Sequence, residues 1–274
     1  MGKPKCCFCS LLRLVVVIVW LFSVLVMKLA SVRKLELEFG RVAVVTGGNK
    51  GIGLEVCRQL AGNSGITVIL TARDEARGAA AVEKLREQGL SNVVFHQLDI
   101  GDAPSIARLA EFLKTRFEKL DILVNNAAFG GVEYIHGPEQ RSQTSEEELF
   151  RNEELKQELN DIDNLTSERL DDLLNMFLKD FEDNVVEARG WPMAFSAYKV
   201  AKAAINAYSR ILARRYPMLR INCAHPGYVK TDMTIKSGLL TPDEGGSRVV
   251  AVALLPEGST TGAFFEDFKE SSFI

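Results

Sequence analysis

The sequence has few cysteines and no marked excess of either charge. Of the five cysteines, three crowd positions 6, 7 and 9, whereas Cys57 and Cys223 stand alone. This spacing fits neither a disulfide framework nor a zinc site, so we expect no metal and a reducing compartment for the folded part. The net charge of −3 is spread over both signs and forms no basic patch, which argues against nucleic-acid binding.

The composition excludes two further classes of protein. With 47% hydrophobic and 25% charged residues, the chain is neither disordered nor collagen-like. Its 274 residues are enough for one sizeable α/β domain or two small ones.

A long hydrophobic run lies near the N-terminus, where residues 14–27 carry no charge. This length is typical of a signal h-region, yet with snorkelling of Arg13 and Lys28 the surrounding stretch can just span a bilayer. We predict that residues 1–35 form an uncleaved signal anchor rather than a cleaved signal peptide, because the sequence after Met27 is a poor cleavage site. The expected location is the endoplasmic reticulum membrane with the domain facing the cytosol; the alternative is a cytosolic protein.

From Gly40 onward, short apolar runs alternate with helical stretches, a pattern typical of βαβ units and a parallel sheet. Strands are predicted at 41–45, 67–70, 93–98, 120–124 and 220–224, and helices at 54–61, 74–88, 106–117 and from Tyr198 to near Pro217. The acidic stretch 146–189 repeats apolar residues at helical spacing and is predicted as a helical insertion. We assign residues 36–274 to one domain.

A glycine cluster at residues 46–53 separates the first strand from the first helix. Gly47, Gly51 and Gly53 allow the backbone to approach a pyrophosphate closely, with the anion at the helix N-terminus. A glycine-rich turn alone is often only a turn, but the order strand, glycines, helix predicts a dinucleotide site.

The end of the second strand indicates which dinucleotide is bound. Arg73, together with Lys50, would pair with a 2′-phosphate, whereas NAD sites place an acid here for the ribose hydroxyl. We predict NADP(H), and the neighbouring Asp74 keeps NAD open as the alternative. Asp99, at the end of the third strand, is placed to meet the adenine amino group.

Tyr198 and Lys202 are four residues apart, which on a helix puts them on one face. A nearby positive charge favours phenolate, so the tyrosine proton would be easier to transfer at neutral pH. Such a pair on a surface helix often means nothing by itself. Combined with the glycine cluster, it predicts a nicotinamide-dependent carbonyl reductase.

These motifs make the chain resemble a short-chain dehydrogenase/reductase, of the carbonyl-reductase-like branch that includes plant menthone, neomenthol and salutaridine reductases. The resemblance covers nearly everything after about residue 38, with T-G-x-x-x-G-I-G at 46–53, N-N-A at 125–127, Y-x-x-x-K at 198–202 and P-G-x-V-x-T at 226–231. It implies a Rossmann-type doubly wound parallel sheet and hydride transfer from NADPH to a carbonyl of a small hydrophobic molecule. Tyr198 would protonate the nascent alkoxide, and Lys202 would lower its pKa and hold the nicotinamide ribose.

The resemblance also assigns the cofactor contacts and the state of assembly. A helical insertion of this kind implies a monomer. The residues expected to bind NADP(H) are Thr46, Gly47, Asn49, Lys50, Gly51, Ile52, Gly53, Arg73, Asp99, Asn126, Ala127, Tyr198, Lys202, Pro226, Gly227, Val229 and Thr231. After Thr231, the stretch to Gly246 is predicted to be a mobile substrate lid.

Between the fourth strand and Tyr198 the sequence departs from this family. A helix with an N-Y-x-G-type asparagine and a strand of the form I-V-N-V-S-S are missing, so the sheet should lack one helix–strand unit unless residues 132–135 replace the strand. Counting back through the insertion puts Ser142 at the position of the family's catalytic serine, with Thr144 and Ser145 as alternatives. Two functions stay open: an active reductase, and an impaired chain that binds NADP in a binding or regulatory role.

Overall fold

A computed structural model describes residues 40–128, 151–161, 163–193 and 195–272. Its first half is a parallel sheet of four strands, which are β1 (Arg41–Val45), β2 (Ile66–Ala72), β3 (Val93–Gln97) and β4 (Ile122–Val124). Helices α1 (Gly51–Ala61), α2 (Glu75–Glu87) and α3 (Ala103–Arg116) connect them in turn. The strand order is β3-β2-β1-β4 with all pairs parallel, so β2 and β3 are added on one side of β1 and β4 on the other. This arrangement confirms the predicted Rossmann-type parallel sheet.

The central strand is buried on both faces, as expected for a parallel sheet covered by helices. Ala43 and Val45 face a cluster built with α1 and α2, whereas Val42 and Val44 face a second cluster that includes Leu109 of α3. Because alternate residues of β1 enter two different cores, the strand reads as a continuous apolar run instead of an alternating one.

The second half contains helices α4 (Glu153–Asn160), α5 (Ser167–Glu182), α6 (Ser196–Arg215) and α7 (Pro242–Ala253). It also contains a second sheet, in which β5 (Cys223–Ala224) runs parallel to β6 (Phe264–Glu266) and β6 antiparallel to β7 (Lys269–Ser271). Among the described residues no strand joins this sheet to β4, the arrangement expected if one helix–strand unit is missing. Residues 132–135, the predicted replacement strand, lie outside the described residues.

Two helices of the insertion pack against α6. Leucines of α4 and α5, with Phe177 of α5, bury against Val200 and Ala204 of α6 in one apolar cluster. Trp191 closes this cluster, and its indole N–H donates to Asp180 Oδ2 at 2.8 Å. The apolar stripe of α5 is therefore core, as its periodicity predicts.

Two predicted segments have different bounds in the structure. The predicted lid is shorter, because α7 begins at Pro242 after a capping box in which the Thr241 hydroxyl accepts from the Glu244 N–H and the Glu244 carboxylate accepts from Thr241 N–H. The predicted strand 220–224 is reduced to Cys223–Ala224, because before Cys223 backbone N–H groups bind side chains in place of the neighbouring strand: Ile221 N–H donates to the Thr261 hydroxyl and Ala263 N–H to Asn222 Oδ1.

No helix in the described part of the chain combines the length and the apolar character needed to cross a bilayer. Residues 1–35, the predicted signal anchor, lie outside the described residues. The anchor therefore stays a prediction.

Helix α2 packs closely against β3 at Gly78, where an added Cβ would lie only 1.9 Å from the Phe95 ring. We expect Gly78→Ala to lower the free energy of unfolding by about 1–3 kcal/mol, because the added methyl forces the helix off the sheet despite alanine's better helix propensity. Urea denaturation measures the change.

Gly62 offers a matched control, because its φ is −68° and an added Cβ would lie 3.5 Å from the nearest atoms. Gly62→Ala should change stability by no more than about 0.5–1 kcal/mol, in the stabilising direction. A Gly78→Ala protein as stable as the unsubstituted chain would contradict the close helix–sheet contact.

Candidate active site

The glycine loop between β1 and α1 has the backbone that an anion site needs. Gly47 and Gly51 adopt left-handed conformations with φ of +66° and +57°. Lys50, at the N-cap of α1, is extended and makes no side-chain capping hydrogen bond, so the first amides of α1 have no side-chain cap. A pyrophosphate fits this arrangement, since the helix dipole and these N–H groups both favour an anion there.

The end of β4 holds the glycine loop in place. The Asn126 side-chain amide donates to Thr46 O at 3.0 Å and to Gly47 O at 3.3 Å, and Ala127 N–H donates to the Thr46 hydroxyl at 2.9 Å. Gly53 is required beside them, because a Cβ there would lie 2.4 Å from Asn126 Nδ2. These contacts give Asn126 and Thr46 a positioning role, while their predicted contact with the cofactor stays a prediction.

The side chains at the end of β2 favour a phosphate over a ribose hydroxyl. Asp74 caps α2, since its carboxylate accepts from the Arg77 N–H at 2.8 Å. Arg73 is exposed at the carboxyl end of the sheet. The acid that made NAD an alternative is thus engaged in a helix cap, and the base beside it remains available to a 2′-phosphate.

Asp99 lies at the carboxyl end of the sheet, after β3. Its Oδ1 accepts from the Gly101 N–H at 2.9 Å, and its own N–H donates to the Ser105 hydroxyl at 2.9 Å. The turn therefore fixes Asp99 at the edge where open α/β sheets bind ligands.

Tyr198 and Lys202 share one face of α6, as predicted. Lys202 Nζ lies 5.6 Å from the centre of the Tyr198 ring, and 38% of the tyrosine is exposed. However, partial burial raises the pKa of the Tyr198 phenol. Loss of water around the phenol thus acts against the lowering of this pKa by Lys202 that the resemblance implies, and the effect of Lys202 stays a prediction.

Lys202 also approaches the start of the second sheet. Burial lowers the pKa of Lys202 by removing water from around the ammonium group. A negative charge on the Cys223 sulfur would raise this pKa. Burial correspondingly raises the pKa of the Cys223 thiol. Cys223 is also hydrogen-bonded to the side chain of Ser209, which places α6 beside the first residue of β5.

The loop after β5 leads from this point to the glycine loop. Gly227 has a φ of +84°, and a Cβ there would lie 2.4 Å from the Leu240 side chain. Val229 is buried, and Thr231 Cγ2 lies 3.5 Å from the position of a Cβ on Gly51. The structure thus brings the predicted residues of loop 226–231 next to the predicted pyrophosphate site.

The predicted catalytic serine has no assigned place. Ser142 and its alternatives, Thr144 and Ser145, lie outside the described residues. In the described ranges, the acidic, histidine and cysteine side chains form no group of three that could hold a metal ion.

Several features near the site are not evident from the sequence motifs. Phe195, at the N-cap of α6, is 44% exposed and left-handed with a φ of +52°. Other large apolar side chains are exposed before α6, within loop 226–231 and after Thr231, namely Met193, Tyr228, Met233, Ile235 and Leu239. Asp232 pairs with Lys50 at 2.9 Å. The only signal in the sequence for these features is that they lie close to the Y-x-x-x-K motif at 198–202 and the P-G-x-V-x-T motif at 226–231.

A parallel sheet with a glycine loop at its carboxyl edge, and a tyrosine–lysine pair on a helix near the next strand, defines a nucleotide-dependent oxidoreductase. Residues 41–159 match the family described as short chain dehydrogenase.

The (+)-neomenthol dehydrogenase of Arabidopsis thaliana is 40% identical over 294 aligned positions, which cover 86% of this chain and 99% of that protein. Human carbonyl reductase (NADPH) 3 is 38% identical over 264 positions, which cover 80% of this chain and 93% of that protein. The solved structure of salutaridine reductase from Papaver somniferum superposes with a TM-score of 0.75 at 38% identity, over 83% of this chain and 99% of that one.

The chain belongs to the short-chain dehydrogenase family. It is an oxidoreductase of the kind that acts on C=O and CH–OH groups with NADP(H). The alignment with the Arabidopsis thaliana protein has more positions than this chain has residues, although only 86% of the chain takes part. That relative therefore contains residues with no counterpart in the aligned part of this chain, as expected if a helix–strand unit is missing here; the deletion itself stays a prediction.

The raised pKa of Tyr198 predicts that this phenol is protonated at neutral pH and ionises only at a higher pH than an ordinary tyrosine. Subtracting the ultraviolet phenolate titration of Tyr198→Phe from that of the unsubstituted chain isolates it among the five tyrosines. Ionisation of Tyr198 near neutral pH would contradict the prediction and would mean that Lys202 dominates over burial.

Proposed function

We propose that the protein reduces a ketone or aldehyde group of a small hydrophobic molecule with NADPH, and catalyses the reverse oxidation of the alcohol. The observation that carries this proposal is the Tyr198–Lys202 pair beside β5, connected through loop 226–231 to the glycine loop. The names of the relatives support it, because they describe a neomenthol dehydrogenase, a salutaridine reductase and a carbonyl reductase.

Each part of the site has a role in this reaction. When bound, NADPH supplies the hydride. The amides of α1 and the side chains of Arg73 and Lys50 would hold its phosphates, and Asp99 its adenine. Lys202 would hold the ribose and stabilise the negative charge that develops on Tyr198 Oη.

Tyr198 acts as the general acid. Its raised pKa keeps the phenol protonated at neutral pH, so a proton is available on Oη for the oxygen of the reduced carbonyl. Positioned acids of this kind contribute about 10²–10⁴-fold to a rate. We further propose that Ser142, or alternatively Thr144 or Ser145, donates a hydrogen bond to the carbonyl oxygen.

The exposed side chains around the tyrosine support an apolar substrate. Met193 and Phe195 precede it, and Met233 and Ile235 follow Thr231. Large apolar groups left in contact with water, just before the tyrosine in sequence and just after the P-G-x-V-x-T motif, favour binding of a hydrophobic molecule, which would also exclude water from the reaction.

A second candidate function follows from the shortened sheet. Since no described strand connects β4 with β5, α6 lacks the support that a continuous sheet would give. A chain that binds NADP(H) without catalysis, in a binding or regulatory role, has the same glycine loop. The two candidates differ in turnover and agree in cofactor binding.

The state of assembly and the location are also proposals. We propose a monomer, because α4 and α5 cover an apolar face of α6 that would otherwise be open to a partner. We propose that residues 1–35 attach the protein to the endoplasmic reticulum membrane with the domain in the cytosol, the alternative being a cytosolic protein. Sedimentation of the purified protein and fractionation of cells that express the tagged full chain test these two points.

Replacing Tyr198 with phenylalanine tests the enzyme function. We expect the rate of NADPH oxidation with menthone-like ketones or aromatic aldehydes to fall by about 10²–10⁴-fold, because the proton donor is lost. Binding of NADPH, followed as an upward shift of the thermal unfolding midpoint, should persist.

Tyr216→Phe is a matched control, because it removes a phenol at the C-cap of the same helix, at the end opposite to Tyr198. It should retain turnover. If the unsubstituted protein unfolds cooperatively and binds NADPH but reduces no carbonyl in a broad panel, the second candidate function replaces the first.

Replacing Arg73 with alanine tests the choice of cofactor. We expect the Kd for NADPH to rise about tenfold, because a charge-assisted hydrogen bond to the 2′-phosphate is lost, while the Kd for NADH stays the same. Calorimetry measures both constants. Arg86→Ala, which removes a base from the opposite end of α2, should change neither; an equal loss for the two cofactors would refute the role of Arg73.

A further inference from the structure

An ion-pair cluster connects the glycine loop with the loop that follows the P-G-x-V-x-T motif. Lys50 Nζ lies 2.9 Å from Asp232 Oδ2, and Lys236 Nζ lies 2.8 Å from Asp232 Oδ1. Lys50 and Asp232 are 182 positions apart in sequence. The cluster thus joins two loops of the cofactor site through one carboxylate and two ammonium groups.

The loop carrying Asp232 is built so that Lys236 stays beside it. Lys236 N–H donates to Thr231 O at 2.9 Å, and the Thr234 hydroxyl donates to Val229 O at 2.7 Å. Lys236 itself is left-handed with a φ of +60°, an uncommon conformation for a residue other than glycine. The backbone of this loop therefore keeps residue 236 close to Asp232.

Asp232 stays charged under all ordinary conditions. Hydrogen bonds from Lys236 and from Lys50, together with the charges of both, lower the pKa of Asp232 to about 2. The carboxylate therefore presents a constant negative charge to Lys50. A 2′-phosphate, which is also an anion, would need the same ammonium.

We propose that Asp232 is a specificity-determining residue that holds Lys50 in an ion pair until the 2′-phosphate of NADP(H) takes its place. The inference rests on the proposed use of NADP(H), and on Lys50 as a ligand of that phosphate. Asp232 is not left without a cation when Lys50 leaves, because Lys236 remains beside it. The exchange conserves the number of ion pairs, so its cost is small.

The exchange makes the contact between Lys50 and loop 231–240 depend on which cofactor is bound. NADP(H) releases loop 231–240 from Lys50, whereas NAD(H), which has no 2′-phosphate, leaves the ion pair in place. The segment that carries the exposed side chains of Met233 and Ile235 therefore loses one contact with the glycine loop when NADP(H) binds and keeps it when NAD(H) binds.

The test measures binding of 2′,5′-ADP and of 5′-AMP by calorimetry, because these two ligands differ in the 2′-phosphate and need no turnover. Asp232→Asn should bind 2′,5′-ADP about threefold to fivefold more tightly, the range expected when an exposed ion pair no longer competes. Affinity for 5′-AMP should be unchanged. In a Lys50→Met background, most of the gain from Asp232→Asn should disappear.

Asp243→Asn is the matched control, since it neutralises another exposed acid that pairs with α1, through Arg58, away from the glycine loop. It should leave both affinities as they are. Weaker binding of 2′,5′-ADP by Asp232→Asn would overturn the proposal, because the carboxylate would then assist Lys50. An equal gain with and without Lys50 would also overturn it, since simple repulsion would explain the effect.

If the protein binds neither 2′,5′-ADP nor 5′-AMP, both the proposed function and this inference are refuted. Normal binding of 2′,5′-ADP with no change in Asp232→Asn refutes the inference alone.

Discussion

The hydrogen bonds between the end of β4 and the glycine loop are the constraint on which the candidate site depends. Asn126 donates its side-chain amide to two carbonyl groups of the loop, and Ala127 N–H binds the Thr46 hydroxyl. Because these bonds keep the loop folded against the sheet, the N–H groups in the first turn of α1 are held facing the predicted pyrophosphate site. Gly53 lies against the same amide and has no room for a side chain.

A helix takes over part of the connection that a strand would give between the two sheets. Two adjacent glycines inside α7 allow it to touch both halves, because a Cβ on Gly245 would lie 2.6 Å from Val229 and one on Gly246 would lie 2.9 Å from Glu55 of α1. Glycine inside a helix costs about 0.5–1 kcal/mol relative to alanine. Close packing on two sides offsets that cost, and Asp243 adds an ion pair to Arg58.

The sequence predicts the first half of the fold well and the second half less well, for physical reasons. Strand β1 is found at its predicted bounds, since a buried apolar run followed by glycines has few other interpretations. The two glycines of α7 hide its helical pattern, although the capping box starting at Thr241 was a local signal. The direction of the shift in the Tyr198 pKa depends on burial in the folded chain, which the spacing of the motif alone does not show.

The path from the tyrosine to the cofactor loop decides what the shortened chain can do. Ser209 of α6 is hydrogen-bonded to Cys223, β5 continues into loop 226–231, and Thr231 lies beside Gly51. On the other side, α4 and α5 fix α6 through a separate apolar cluster. Since β5 has only two residues, the connection from α6 to the glycine loop runs mostly through this loop. Asp232, which pairs with Lys50 of the glycine loop, directly follows it, so the ion pair and this connection belong to one stretch of chain.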